Sequence, residues 1–192
     1  MRILRASDHR RMRRKNGLGE TVEIAVSPDG ASLDDFDWRV SMAHVGSDGP
    51  FSVFAGVDRT LCVLEGDGIA LAVAGRPEAE LTLASEPFAF PGDVATTSRL
   101  LGGRLIDLNV MTRRGRFRHA VRRLAIGGST RVRCDADVTF LLSRSDGLSV
   151  DANTGKVHLD RDDALIINGP AELALSTARQ AIAFAIEISR SA

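Results

Sequence analysis

The chain has 192 residues, and its 25 basic and 25 acidic side chains give a formal net charge of zero. This balance argues against a nucleic-acid-binding protein that works through bulk positive charge. No apolar run has the length of a membrane span, and the N-terminus has no long apolar core typical of a secretory signal. We therefore expect a cytoplasmic protein without a nucleic-acid or membrane partner.

The first notable segment is Lys15-Asn16-Gly17-Leu18-Gly19-Glu20-Thr21, which leads into a predicted strand. The glycines permit positive φ and allow backbone N–H groups to approach a bound group. The lysine supplies a compact positive charge on a flexible stem. Two interpretations remain open: a loop that delivers a cation and an amide to a ligand, or a β-turn with a solvated lysine.

Short alternating runs separated by turn residues follow, which is the pattern of an all-β sandwich or barrel. The predicted strands are, in chain order, 21–27, 38–45, 59–64, 69–73, 105–111, 138–142 and 181–188. Between them, residues 32–37 predict one short helical turn capped by Ser32. Gly66-Asp67-Gly68 predicts a hairpin turn.

Three pairs of segments resemble each other at an offset of roughly 76 to 78 residues. The pairs are 61–71 with 139–150, 86–92 with 162–169, and 105–110 with 183–188. Such a repeat suggests duplication of one structural unit. We expect an N-terminal half over 1–115 and a C-terminal half over 116–192, joined in one compact unit.

An arginine-rich segment, 112–119, lies at the predicted junction of the halves and contains one phenylalanine. It is open to two interpretations, a site for RNA or phosphate and a solvated linker. The linker is favoured because charge runs usually face water and nothing else in the chain supports nucleic-acid binding.

Several motifs together resemble the HutD family (HutD/Ves), small bacterial proteins of the cupin superfamily. They are Lys15-Asn16-Gly17-x-Gly19-x-Thr21-x-Glu23-Ile24-Ala25 and the segments 36–41, 49–52, 56–61, 88–93 and 107–112. The resemblance is close over 12–112. Arg14 stands where the family usually has tryptophan, and Leu18 where a third glycine is common.

The resemblance implies a bicupin, two stacked jelly-roll (RmlC-like) β-barrels in one chain. It also implies a role in histidine utilisation, or in a related stress function, and a ligand of the kind of formylglutamate. Many cupins bind a metal through clustered histidines. Here His9, His44, His119 and His158 are scattered, and only His44 lies on a predicted strand. We therefore predict no metal and no cofactor.

The sequence contains no serine-nucleophile elbow of the form Gly-x-Ser-x-Gly. Cys62 and Cys134 form no CxxC pair, and both are expected to be buried thiols rather than a disulfide. Cys62 is interpreted as a small core residue within an apolar strand. We accordingly predict no catalytic residues.

Polar residues on the predicted strands are the candidates for a pocket, because alternation places them on one face. Cations suit carboxylates, and amides or hydroxyls suit an amide or formyl group. Asp58 is interpreted as the charge partner of Arg59. The candidate ligand-binding residues are Lys15, Asn16, Gly17, Thr21, Arg39, Ser41, Arg59, Phe90, Asp93, Asp107 and Asn109.

The first functional hypothesis is a non-catalytic, metal-independent bicupin that senses or regulates histidine utilisation by binding a small acidic metabolite. The second is a metal-free isomerase or hydrolase of a small carboxylate that uses Lys15, Asp93 or Asp107 for acid–base chemistry. The third is a stress-related protein-interaction module. The sequence leaves a monomer and a homodimer equally open.

Overall fold

The computed structural model describes residues 1–13, 19–152 and 155–191, and these residues form β-strands joined by short turns. The strands are β1 (Arg2–Leu4), β2 (Arg10–Arg13), β3 (Glu20–Ser27), β4 (Trp38–Val45), β5 (Gly49–Pro50), β6 (Val57–Glu65), β7 (Ile69–Val73), β8 (Ala79–Leu81), β9 (Phe88–Pro91), β10 (Thr96–Leu100), β11 (Leu105–Arg113), β12 (Phe117–Ile126), β13 (Ser129–Cys134), β14 (Val138–Ser143), β15 (Leu148–Ala152), β16 (Gly155–Leu159), β17 (Ala164–Asn168), β18 (Ala171–Ser176) and β19 (Ala181–Arg190). One 3-10 turn, Ala6–Asp8, lies between β1 and β2. Within these ranges there is no helix of the length and apolar character that a membrane crossing requires.

The all-β prediction is confirmed, and each of the seven predicted strands is present. Trp38–Val45 and Ile69–Val73 have the predicted bounds. The predicted strands 59–64 and 105–111 are longer in the structure, Val57–Glu65 and Leu105–Arg113. They are longer because the ladder between β6 and β11 runs from Val57 opposite Arg113 to Glu65 opposite Ile106, so the backbone N–H and C=O groups of the added residues find partners across it.

Two predictions about turns are corrected. Gly66-Asp67-Gly68 is not a hairpin turn, because β6 belongs to a six-stranded sheet and β7 to a four-stranded one. The turn instead carries the chain from one sheet to the other. Residues 32–37 form a turn and not a helix, although the Ser32 hydroxyl accepts a hydrogen bond from the Asp34 amide at 3.3 Å, as a capping residue does.

The chain divides into two compact units. The N-terminal unit comprises Arg10–Arg118 with Ser191, and the C-terminal unit comprises Met1–His9 with His119–Arg190. The change of unit after Arg118 falls three residues beyond the boundary expected from the sequence, and the first nine residues belong with the C-terminal unit. The assignment of 1–115 and 116–192 as two halves of one duplicated fold stays a prediction.

The N-terminal unit contains two sheets, with strand orders β2-β3-β4-β11-β6-β9 and β5-β10-β7-β8. Their facing sides share an apolar core. Ala43, Leu61 and Leu105 contribute to it from the first sheet, and Ile69 and Leu71 from the second. This packing fixes which face of the six-stranded sheet is the interior face of the unit.

The C-terminal unit also contains two sheets, with orders β1-β17-β14-β19-β12 and β13-β18-β15-β16. The order β12-β19-β14-β17 repeats β4-β11-β6-β9, eight strands later in the chain, and the second sheets correspond in the same way. The registers agree too. In the N-terminal unit Leu61 lies opposite Asn109. In the C-terminal unit Thr139 lies opposite Glu187, and these two residues are 78 positions after Leu61 and Asn109. These correspondences support the predicted duplication.

Candidate functional site

Buried polar side chains gather on the interior face of the six-stranded sheet of the N-terminal unit. Residues paired across an antiparallel ladder share a face, and successive residues alternate. Asn109 on β11 is opposite Ser41 on β4, and Met111 is opposite both Arg39 and Arg59. Ser41 is in turn opposite Glu23 on β3. The sheet therefore places candidate residues from distant parts of the sequence on one surface.

This surface is named the polar cluster and consists of Glu23, Arg39, Ser41, Arg59, Asp107 and Asn109, all of which are buried. On β11 its two members lie between two apolar positions, Met111 and Leu105, which belong to different apolar clusters. A polar layer between apolar layers is costly unless its members bond to one another or to a ligand.

Arg39 and Glu23 form a buried ion pair in this cluster. The Arg39 Nε donates to Glu23 Oε2 at 2.7 Å, and the two side chains are 7% and 9% exposed. A guanidinium and a carboxylate at this depth compensate each other's loss of hydration. The bond fixes Arg39 against β3.

Arg59, Asn109 and Asp107 form a chain of hydrogen bonds. Arg59 Nε donates to Asn109 Oδ1 at 2.8 Å, and its Nη2 also donates to this oxygen. The Asn109 amide nitrogen donates to Asp107 Oδ1 at 2.5 Å. This chain orients the Asn109 amide and holds a guanidinium and a carboxylate on the same wall, so the cluster offers both donors and acceptors.

Aromatic rings contact the Arg59 guanidinium. Its Cζ lies 4.3 Å from the centroid of Phe51 and 5.5 Å from that of Phe90. The two rings meet edge to face with centroids 6.5 Å apart. Cation–π contacts stabilise a buried guanidinium and fix the plane in which its N–H groups point.

Seven of the candidate ligand-binding residues therefore share the interior face: Thr21, Arg39, Ser41, Arg59, Phe90, Asp107 and Asn109. Asp93 is placed elsewhere, on the turn after β9, where Arg114 Nη1 donates to its Oδ2 at 2.8 Å. The hydrogen bond from Arg114 holds the pKa of Asp93 below its usual range. Lys15, Asn16 and Gly17 lie outside the described residues.

Two residues of the candidate site were not among the predicted ones: Glu23, which belongs to the polar cluster, and Phe51, whose ring contacts Arg59. Glu23 follows Thr21 by two positions on a predicted strand, so the alternation that selected Thr21 also indicated Glu23. Phe51 lies in a loop after β5. Phe51 belongs to the segment 49–52, one of the motifs that carry the family resemblance. It was not selected, because no strand was predicted there and alternation could not assign its side chain to a face.

The interpretation that Asp58 pairs with Arg59 is wrong. Asp58 and Arg59 are neighbours on β6, so their side chains point to opposite faces. The Asp58 carboxylate instead accepts hydrogen bonds from Arg114, with Nη2 at 2.7 Å. Arg59 is fixed from its own face by Asn109 and the two phenylalanine rings.

The arginine-rich segment, interpreted as a solvated linker, is largely part of two strands, because β11 continues to Arg113 and β12 starts at Phe117. Arg113 donates to the backbone carbonyls of Asp34, Phe36 and Ala55. Arg114 pairs with Asp58 and Asp93, and Arg116 pairs with Asp37 at 2.6 Å. These side chains thus hold turns and strand ends together within the N-terminal unit.

The described residues contain no group of three or more His, Cys, Asp or Glu side chains with the geometry of a metal site. Both cysteines are free and buried. Burial raises the pKa of Cys62 to about 12, and the nearby carboxylates of Asp107 and Glu86 add to the shift. Cys62 is therefore a protonated thiol at neutral pH, which agrees with its interpretation as a core residue.

A cleft of about 680 Å³ lies at one end of the six-stranded sheet, among the residues that the structure describes. It is lined by Gly19, Glu20, His44, Val45, Gly46, Glu65, Gly66, Arg104, Leu105 and Ile106. Leu105 precedes Asp107 by two positions on β11, so the two side chains share the interior face. The polar cluster thus begins two positions along β11 from a residue that lines this cleft.

The HutD family model matches residues 6–185 of the chain. A protein described as an uncharacterized 21.2 kDa protein in the hutC 3′ region of Pseudomonas putida is 37% identical over 174 residues, which cover 90% of each chain. Among solved structures, the conserved protein of unknown function PA5104 from Pseudomonas aeruginosa PAO1 is 36% identical with a TM-score of 0.91, and 98% of each chain is covered.

HutD from Pseudomonas fluorescens SBW25, solved in a formate condition, is 30% identical with a TM-score of 0.82; 100% of this chain and 99% of that chain are covered. A cupin 2 conserved barrel domain protein from Leptotrichia buccalis has a TM-score of 0.59 over 89% of each chain. Because that identity is only 6%, the likeness concerns the fold alone. The chain has an all-β fold of the cupin kind.

Proposed function

Because this chain belongs to the HutD family, which is linked by name to histidine utilisation, we propose that it senses or regulates that pathway by binding a small acidic metabolite such as formylglutamate. We further propose that it does so as a metal-independent bicupin, with one jelly-roll barrel in each compact unit. The repeated strand order of the two units supports this arrangement.

The observation that carries the proposal is the buried Arg59 guanidinium at one end of a hydrogen-bond chain with Asn109 and Asp107. Arg59 is fixed by a neutral amide oxygen of Asn109, and the Ser41 hydroxyl lies on the same face. A planar guanidinium binds a carboxylate through two parallel N–H bonds. Its fixed plane lowers the conformational entropy lost on binding.

The remaining members of the cluster complete the proposed site. Asn109 and Ser41 form hydrogen bonds to an amide or formyl group of the ligand, and Asp107 accepts a hydrogen bond from an N–H group of the ligand. Arg39, held by Glu23, supplies a second positive group on the same wall. Lys15, from the segment before β3, is proposed as a point charge for a second carboxylate.

We propose one such site in each chain, in the N-terminal unit. In the C-terminal unit, Ala185 lies 78 residues after Asp107 and belongs to a continuous apolar core with Leu141 and Leu165. A core of this composition provides no partner for a carboxylate. The C-terminal unit is therefore proposed to have a structural role.

We also propose a cytoplasmic location, which two free buried thiols support because such thiols persist in a reducing compartment. The proposed protein is a monomer or a homodimer, and it is proposed to bind neither nucleic acid nor membranes. Size-exclusion chromatography with light scattering measures the oligomeric state directly.

Calorimetric titration of the purified protein with N-formylglutamate, formate and glutarate tests the proposal. We expect N-formylglutamate to bind one site per chain with a Kd below about 1 mM. Arg59→Gln should weaken binding at least about tenfold, since a hydrogen-bonded charge is lost, and Arg59→Lys should weaken it less. Absence of heat from all three acids in the wild-type protein would refute the proposal.

The matched control is Arg99→Gln, because Arg99 is an exposed arginine of the same unit, 3.6 Å from Glu78. It should bind like the wild type. Equal weakening by Arg99→Gln and Arg59→Gln would show that general charge, and not the polar cluster, attracts the acid. Chromatographic analysis of the ligand after titration reveals any turnover.

A further inference from the structure

The segment 51–56 carries Phe51 and is held at several points by backbone hydrogen bonds. The Phe51 amide donates to the Thr96 carbonyl at 2.9 Å, and the Phe54 amide donates to the Gly92 carbonyl at 2.8 Å. At the far end, the Arg114 amide donates to the Gly56 carbonyl at 2.8 Å. The segment is thereby fixed against the turn after β9 and the end of β11.

Asp93 joins these attachments from its place on that turn. Its Oδ2 accepts from the Gly56 amide at 3.3 Å and from Arg114 Nη1 at 2.8 Å. Arg114 is thus connected to Gly56 directly, by the hydrogen bond from its amide, and indirectly, because both residues donate to the Asp93 carboxylate. The Asp93 carboxylate is not part of the polar cluster. Its contacts are with Gly56, at the end of the segment 51–56, and with Arg114.

Phe51, at the start of the same segment, has its ring centroid 4.3 Å from Arg59 Cζ. A ring at this distance covers one face of the guanidinium. Approach to Arg59 through that face is then blocked, whereas a bidentate carboxylate approaches in the plane of the N–H groups. The placement of Phe51 therefore governs how Arg59 presents itself to a ligand.

We propose that Asp93 is a positioning residue of the acidic-ligand site. By binding Gly56 and Arg114, it holds the segment 51–56 so that Phe51 covers the Arg59 guanidinium. The ligand part of this inference rests on the proposed function, whereas the positioning part concerns the protein alone. Asp93 itself makes no contact with the ligand in this arrangement.

The first test uses the ligand-free protein and the NMR resonance of the Arg59 Nε proton, identified with Arg59→Lys. The Phe51 ring current shifts this resonance, so Phe51→Leu gives the value for an uncovered guanidinium. In Asp93→Ala the resonance should move toward that value. The control is Asp58→Ala, which removes another carboxylate partner of Arg114 but not the bond to Gly56. It should leave the resonance in place.

The second test is calorimetric titration of the same variants with N-formylglutamate. Asp93→Ala should weaken binding about three- to tenfold, because the hydrogen bonds from Arg59 to the ligand carboxylate are partly lost. Asp58→Ala should leave the affinity unchanged. Asp93→Asn, which keeps an acceptor for Gly56, should lie between. An unmoved Arg59 resonance in Asp93→Ala overturns the positioning role, whatever the affinity. Absence of binding by the wild type refutes the proposed function and leaves the NMR result to decide the positioning role.

Discussion

Glu23 and Arg39, on adjacent strands β3 and β4, form a buried ion pair with Nε and Oε2 2.7 Å apart. Arg39 without Glu23 would be a buried charge that has lost its carboxylate partner, whereas Glu23 also lies 3.9 Å from Arg10. Because the two strands are hydrogen-bonded neighbours, the sheet itself sets the separation of the pair. The pair therefore couples the packing of β3 to the geometry of the polar cluster.

Glu23→Gln should lower the free energy of unfolding by about 3 kcal/mol, because it leaves the Arg39 charge buried without a carboxylate. Urea denaturation followed by circular dichroism measures this change. Glu20→Gln is the control on the same strand, since Glu20 pairs with the exposed Arg11 at 3.0 Å and should cost less than about 1 kcal/mol. Equal effects of the two variants would contradict the pairing.

Gly66→Ala should destabilise the N-terminal unit more than Gly75→Ala. Both glycines have left-handed φ, +93° and +80°, so both variants incur backbone strain of about 1 kcal/mol. A Cβ at Gly66 would lie 2.7 Å from the Arg104 carbonyl oxygen, whereas one at Gly75 meets nothing within 4 Å. The close contact should add about 2 kcal/mol, measured as the difference between the two variants in thermal unfolding. Equal melting temperatures would contradict the close approach of the turn to β11.

The Cys62 thiol should resist reaction with thiol reagents in the folded protein. Its pKa of about 12 leaves almost no thiolate at pH 8, and only the thiolate reacts. In a Cys134→Ser variant, Ellman's reagent should therefore detect no thiol within minutes and one thiol after unfolding in guanidinium. Rapid release of one equivalent of thionitrobenzoate by the folded variant would show that Cys62 is accessible and ionised.

Asp163 should make the C-terminal unit sensitive to acid. Burial raises the pKa of this carboxyl, but hydrogen bonds from the amides of Ala6 and Asp160 and from Arg5 outweigh burial and leave the pKa lowered. A carboxyl with a lowered pKa contributes stability above its unfolded pKa of about 4, and this is lost as the pH falls through the folded value.

Asp163→Asn should accordingly reduce the free energy of unfolding at pH 7 by about 2 kcal/mol, and the difference from the wild type should shrink below about pH 4. Urea denaturation at a series of pH values measures both quantities. Asp151→Asn, at an exposed position on β15, should be neutral throughout. A difference that grows on acidification would contradict the assignment.

Local pattern was enough to predict strands such as Trp38–Val45, because the alternation of apolar and polar side chains is a property of the segment alone, although both faces of this strand are buried. It was not enough for the turn Gly66-Asp67-Gly68. Glycine there signals a sharp turn equally well within one sheet or between two. Only the pairing of β6 with β11 and of β7 with β10 separates these cases.

The sequence by itself determined the all-β class and the membership of Arg39, Ser41, Asp107 and Asn109 in one set of strand-borne polar residues, and it predicted the repeat, since each depends on spacing along the chain. The tertiary structure decided which charges meet. Arg39 and Glu23 are 16 positions apart and Arg59 and Asn109 are 50, and strand order brings each pair into contact. Sheet register is a property of paired strands and not of either strand alone, so Asp58 and Asp93 could be assigned to Arg114 only once the strands were paired.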